Sequence, residues 1–208
     1  MTFRHNLSLL YLLCAPCGYI QLKRNTMLEE LVVAGFGGQG VLSLGMTLSY
    51  AGMVEDKEIS WMPSYGPEMR GGTANCITIL SDRKISSPII ASFDSAIVLN
   101  QPSMDKFAAK VKPGGLLLYE TDTVLQPSTR TDIQVLGIPA MAAARELGQP
   151  KAMNMVLLGA YLAQRPIVSM QSVQEALRQV LPEKYHHTLP LNYAALERGY
   201  QLMQQVAV

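Results

Sequence analysis

Cysteine is scarce in this chain: there are three, and only Cys76 lies beyond residue 26. So sparse and odd a set gives no disulfide framework and fits a reducing, cytoplasmic setting. Cys14 and Cys17 have the spacing of half a metal site, but no second pair or neighbouring histidines complete it. No metal or iron–sulfur ligand set is therefore read from this chain. Charge is sparse as well: 17 basic and 16 acidic residues leave +1, and Arg4, Lys23 and Arg24 all fall in the first 26 positions. The remainder carries a slight acidic excess, which gives no basic face for nucleic acid. The apolar run from Leu7 to Cys14 is too short to span a bilayer, so no membrane partner is expected. There is no Gly-x-Ser-x-Gly elbow, no Walker-type loop and no His-Glu-x-x-His helix, which removes the chemistries those motifs carry.

What is present is apolar: 49% of 208 residues are hydrophobic, enough for one sizeable core and against disorder. Residues 1–26 differ from the rest, with Arg4 and His5, the short apolar run, then Pro16, Gly18 and Lys23-Arg24. They resemble a poor secretory signal without a clean cleavage site, or an extension ahead of a start at Met27. The second reading is adopted, with 1–26 as a leader outside the fold and 27–208 as one domain.

Leu31-Val32-Val33-Ala34 reads as a strand and Val41, Leu42, Leu44, Gly45, Leu48 and Ala51 as a helix stripe. Between them, Gly35, Gly37 and Gly40 fit Gly-x-Gly-x-x-Gly, a turn that presents helix N-terminal amides to phosphate. Glycines at such a turn also serve packing alone, and both readings stand. A nicotinamide site would place an acid at the end of its second strand. Lys57–Trp61 ends without one, since Asp56 and Glu58 come too early.

Further strands are expected at Thr73–Leu80, Phe93–Leu99, Leu116–Tyr119 and Asp132–Ile138, with a short edge segment at Ile85–Ile90. Helices are expected at Pro102–Val111, stopped by Lys112-Pro113-Gly114-Gly115, and at Pro139–Leu147. From Lys151 the pattern is helical only, with stripes at Met153 to Tyr161 and Val173 to Val180 and a last helix from about Tyr193. The alternation predicts an α/β fold: a mostly parallel open sheet flanked by helices, a Rossmann-like first strand–turn–helix and a helical C-terminal part. Cys76 reads as a small core residue and His186-His187 as part of a surface loop.

Met62 to Gly72 is too rich in glycine and proline for helix or strand and carries Tyr65, Glu68 and Arg70 together. It is either an ordinary connection or a shaped functional loop.

Taken together, Gly35-Phe36-Gly37-Gly38-Gln39-Gly40, Ser64-Tyr65-Gly66-Pro67-Glu68-x-Arg70-Gly71-Gly72, Lys112-Pro113-Gly114-Gly115 and Ala152-Met153-Asn154-Met155 resemble the gamma subunit of the 2-oxoacid:ferredoxin oxidoreductases. The resemblance runs from about Met27 to about Tyr200 and is nearest to the 2-oxoglutarate enzyme, with the branched-chain enzyme next. It implies a complex that converts a 2-oxoacid and coenzyme A to acyl-coenzyme A and carbon dioxide and reduces ferredoxin. Thiamine diphosphate and iron–sulfur clusters would lie on alpha, beta and ferredoxin-like delta partners, with no catalytic residue on this chain. Its implied share is the coenzyme A cleft and the subunit interface. Amides of Gly37, Gly38 and Gln39 would receive a phosphate, Arg70 a phosphate or a partner carboxylate, and Tyr65 would pack on coenzyme or partner. Gly71, Gly72 and, less strongly, Asn100 complete the candidates. Two other readings stay open: a purely scaffolding subunit, and an S-adenosylmethionine- or NAD-binding enzyme, against which the missing acid counts.

Overall fold

Leu31 and Val33 face one side of the first strand and Val32 and Ala34 the other, and all four are fully buried in two separate cores. That alternation, apolar at every position, marks a strand covered on both faces. In the computed structural model, which describes residues 26–65 and 72–206, it is β1 (Leu28–Phe36). The leader reading, Glu68 and the roles expected of Arg70 and Gly71 fall outside those residues.

After β1 come α1 (Val41–Val54), β2 (Glu58–Tyr65), β3 (Thr73–Ser81), β4 (Phe93–Val98), α2 (Gln101–Phe107), β5 (Val111–Glu120) and β6 (Gln134–Ile138). Then follow α3 (Ala140–Glu146), α4 (Met153–Gln164), α5 (Met170–Val180) and α6 (Leu189–Val206). The sheet order is β2-β3-β1-β4-β5-β6. β1, β4, β5 and β6 pair in parallel, while β3 runs antiparallel between β1 and β2. The expected mostly parallel sheet with a helical C-terminal part is thus present. One face packs against α1 and the C-terminal helices, and the other against α2 and the segment around Val124 and Ile133.

The topology departs from a nicotinamide-binding unit where it matters. β3 separates β2 from β1, so the strand after α1 does not lie beside the glycine turn. Asp56 sits in the preceding turn with φ 55, and Glu58 only opens the strand.

Five local expectations are corrected. Met62–Tyr65, expected as loop, continues β2, with Pro63 opposite Cys76. β2 is an edge strand, where a proline need not remove a ladder bond. Lys112-Pro113-Gly114-Gly115, expected to stop a helix, lies within β5. The pairing jumps from Phe93↔Val111 to Ser95↔Leu116, so the extra residues form a bulge, with Gly114 at φ 77. The expected helix to Val111 ends at Phe107 and gives way to a 3₁₀ turn, Ala108–Lys110. Ile85–Ile90 forms no strand, and Ile89 is exposed. The last helix also starts earlier than expected, at Leu189, with Pro190 in its first turn.

The histidines lie in the surface turn before α6, as expected. His186 Nε2–H donates to the carbonyls of Leu181 (2.8 Å) and Arg178 (3.1 Å), which occupies acceptors at the end of α5. At the opposite end of the sheet from the glycine turn, Lys112 bridges Glu30 (2.5 Å) and Asp94 (2.7 Å). Burial opposes its charge, but the bonds from Asp94 and Glu30 outweigh this and hold the ammonium above its ordinary range.

Candidate functional site

The pairing directions bring the carboxyl ends of β1, β2, β4, β5 and β6 to one edge, where β3 begins. This is the edge at which open α/β sheets collect ligands. The glycine turn crosses its middle. Gly38 (φ 99) and Gly40 (φ 78) adopt left-handed conformations that favour glycine, and Gly40 is the N-cap of α1 without any side-chain cap. The helix opens with no acidic residue in its first turn. Its first amides have no intrahelical partner, and the residues that carry them line a hollow of about 340 Å3 bounded also by Phe36, Gly38, Gly40 and Ala74. Among the described residues, a Cβ on Gly38 would meet nothing within 4 Å, so they leave this face of the turn open.

Not every amide expected to receive a ligand is free to do so. Gly37 N–H donates to the Gly72 carbonyl (2.9 Å) and Gln39 N–H to the Phe36 carbonyl (3.1 Å). The Gly38 amide donates to no described residue, and with the first turn of α1 it forms the open donor set. The Gly37–Gly72 bond brings the two ends of the candidate set together. Tyr65 ends β2 opposite Ala74, and its side chain lies outside what the structure describes. Asn100 is at this edge but only 2% exposed. Its Oδ1 accepts from Ser103 N–H (2.9 Å) and so caps α2, while its Nδ2 is buried without a partner among the described residues.

Three residues of the edge were not among the expected site residues. Asn154, at the start of α4 and 6% exposed, donates Nδ2–H to the Gly40 carbonyl at 3.2 Å. The Leu99 carbonyl accepts from Gln39 Nε2–H (3.0 Å) and from the Thr123 hydroxyl (2.8 Å). Glu120, with no exposure, accepts from Thr123 N–H (2.8 Å) and from Met141 N–H (3.2 Å) at the start of α3. Asn154 carried a signal, as a polar residue inside an otherwise apolar helical stripe. Thr123 and Glu120 carried none, because their partners are set by the sheet order.

Beneath the turn, Cys76 Sγ–H donates to the Val41 carbonyl at 3.5 Å. Burial pushes its thiol up to about 12, so it is a neutral core residue and no nucleophile. Among the described residues no group of three His, Cys, Asp or Glu side chains converges on a possible metal position. No helix there is long and apolar enough to cross a membrane.

Residues 30–202 match the family model described as pyruvate ferredoxin/flavodoxin oxidoreductase. Subunit VorA of the ketoisovalerate oxidoreductase of Methanothermobacter marburgensis is 39% identical over 80% of this chain, and the chain spans only 35% of that relative's length. Subunit KorC of the 2-oxoglutarate synthase of Methanocaldococcus jannaschii is 32% identical over 88% of this chain and 98% of its own. Among solved structures, the 2-oxoglutarate:ferredoxin oxidoreductase of Magnetococcus marinus, with 2-oxoglutarate, coenzyme A and succinyl-CoA bound, has a TM-score of 0.77. That match is at 25% identity and covers 86% of this chain and 31% of that one.

Proposed function

Because the chain belongs to the pyruvate ferredoxin/flavodoxin oxidoreductase family, we propose that it is the gamma subunit of a complex that oxidatively decarboxylates a 2-oxoacid. Coenzyme A takes the acyl group, carbon dioxide leaves, and the electrons pass to ferredoxin. Thiamine diphosphate and the iron–sulfur clusters reside on alpha, beta and ferredoxin-like partners. This chain closes the coenzyme A cleft and the subunit interface. The observation that carries the reading is the glycine turn, with an uncapped helix start opening on a hollow at the carboxyl edge of the sheet. The Gly38 amide and the first amides of α1 would receive a phosphate of the coenzyme, the dipole of a 14-residue helix favouring the anion. Arg70 would supply a further charge-assisted bond to phosphate or to a partner carboxylate, and Tyr65 a packing face. Gly71 and Gly72 would let the backbone approach closely.

The substrate is 2-oxoglutarate on this reading, in keeping with the likeness to KorC over nearly its full length; the higher identity to VorA supports a branched-chain 2-oxoacid instead. The domain extends over 27–208. Scaffolding is the second reading, and the apolar walls of the hollow, Phe36, Val41 and Ala74, favour it because they also suit a side chain of a partner.

The test is reconstitution with co-purifying subunits. The complex should reduce ferredoxin only when both a 2-oxoacid and coenzyme A are supplied, and comparison of 2-oxoglutarate with branched-chain 2-oxoacids assigns the substrate. Arg70→Ala in the assembled complex should raise the coenzyme A requirement. An unchanged requirement in a complex that still assembles would remove Arg70 and favour scaffolding.

A further inference from the structure

Two side chains brace the glycine turn, and neither belongs to its backbone design. Gln39 folds under the turn: its Oε1 accepts from Phe36 N–H (2.6 Å) and its Nε2–H donates to the Leu99 carbonyl (3.0 Å). It therefore joins the ends of β1 and β4, neighbours in the sheet but 60 residues apart in sequence. The fit leaves no slack, since a Cβ on Gly35 would come within 2.7 Å of Gln39 Oε1 and 2.9 Å of Leu99 Cβ. Each end of the Gln39 amide thus makes a bond inside the protein, which fixes the side chain beneath the turn.

Asn154 braces the other end. Its Nδ2–H reaches the Gly40 carbonyl at 3.2 Å, the same oxygen that accepts the first bond of α1 from Leu44 N–H (2.9 Å). The side chain also lies against the Cα of Gly40, where a Cβ would come within 2.5 Å of Nδ2 and 2.8 Å of Cγ. Gly40 is thus held in its left-handed conformation by a residue 114 positions away. Between these two braces lie the Gly38 amide and the approach to the first amides of α1. A glycine-rich turn is intrinsically free, and fixing it before a ligand arrives removes an ordering cost from binding. Amides already aimed at a ligand also need no reorganisation to receive it.

We propose that Gln39 and Asn154 are positioning residues for coenzyme A, whose side chains act by fixing the backbone from Gly38 to Ser43 in its receiving arrangement. Asn154 thereby makes the helical C-terminal part a determinant of coenzyme affinity. The inference rests on the coenzyme A reading of the turn given above.

The experiment uses the assembled complex. Asn154→Asp replaces the donor with an oxygen at nearly constant volume, and Gln39→Met removes both Gln39 bonds. Rates are measured against coenzyme A and separately against the 2-oxoacid. Each variant is expected to raise KM for coenzyme A on the order of tenfold, the weight of a hydrogen bond or two, without a matching rise in KM for the 2-oxoacid. Hydrogen exchange at the amides of 38–43 should quicken in both. Gly38→Ala, which puts a methyl group into the open face of the turn, separates the two claims. A rise in coenzyme A KM for Gly38→Ala with none for Asn154→Asp or Gln39→Met overturns the positioning roles and keeps the cleft. No rise for any of the three overturns the cleft and the inference with it. If one positioning variant does not assemble, the other carries the test, because their hydrogen bonds share no atom. Failure of both overturns the inference, since the residues would then serve the fold.

Discussion

Replacing Gly40 by alanine tests the geometry of the turn through stability alone. At φ 78 an alanine pays the left-handed penalty of about 1–2 kcal/mol. Its Cβ would stand 2.5 Å from Asn154 Nδ2, while ordinary contact begins near 3.4 Å, so the Asn154 side chain must withdraw by close to an ångström. That withdrawal breaks the 3.2 Å bond to the Gly40 carbonyl and strands a buried amide, for about 1–3 kcal/mol more. The two effects together come to about 3 kcal/mol, and a domain of this size loses about 2–4 °C per kcal/mol, so Tm should fall by about 6–12 °C. Gly38→Ala is the internal comparison: its φ of 99 carries the backbone strain, but its Cβ meets nothing within 4 Å among the described residues. Its Tm should fall by only about half as much. Thermal unfolding of the two variants beside the unaltered protein measures both shifts. Equal losses for Gly38→Ala and Gly40→Ala would refute the contact between Asn154 and the turn.

The helix pair behind the sheet gives a second stability prediction. A Cβ on Gly199 would overlap the carbonyl of Val156 in α4, so Gly199→Ala should lower Tm by about 4–8 °C despite alanine's better helix propensity; a rise would contradict the close crossing of α4 and α6. Glu55 is a pH probe. Burial raises its carboxyl pKa, but Ser169 N–H, the hydroxyls of Ser172 and Ser169, and Lys57 outweigh this and hold it below the ordinary 4.5. A lowered folded-state pKa means stability that is present above 4.5 and lost as pH falls through the folded value, so Glu55→Gln should lower Tm at pH 7 and converge with the unaltered protein in acid. A Tm difference that does not vary with pH would contradict that tie between α1 and α5. Cys76, with its thiol near 12, should resist alkylation at pH 8 until the protein unfolds, as read by peptide mapping; rapid native labelling would contradict its burial.

How far the sequence revealed this molecule depended on the range of the interactions involved. β1, the glycine turn and α1 are local: an apolar run, fixed glycine spacing and a helical stripe specify them within 30 residues. β2 was cut short because Pro63 and the glycines after it read as loop, whereas an edge strand accepts a proline. The bulge in β5 was hidden for a related reason. Gly114 and Gly115 look like a helix stop, and only Asp94 and Asp132 across the sheet turn them into a strand irregularity, with Gly114 N–H donating to the Asp132 carbonyl at 2.7 Å. The candidate site divides the same way. The turn at Gly35, Gly37 and Gly40 was legible from spacing, but the inward fold of Gln39 depends on β4 lying beside β1. The bond from Asn154 depends on α4 returning over 114 residues to the start of α1. Asn100 was placed at the right edge of the sheet, yet its oxygen serves α2 as a cap, a role set by Ser103 and not by any ligand.

Hydrogen exchange on the assembled complex, with and without coenzyme A, tests the central claim most directly. If the turn receives the coenzyme, the amides of Gly38, Val41, Leu42 and Ser43 should exchange several-fold more slowly when coenzyme A is added, beyond the protection that partner subunits alone confer. Protection by the partners with no further change on adding coenzyme A would contradict the claim and leave this edge of the sheet as a contact between subunits.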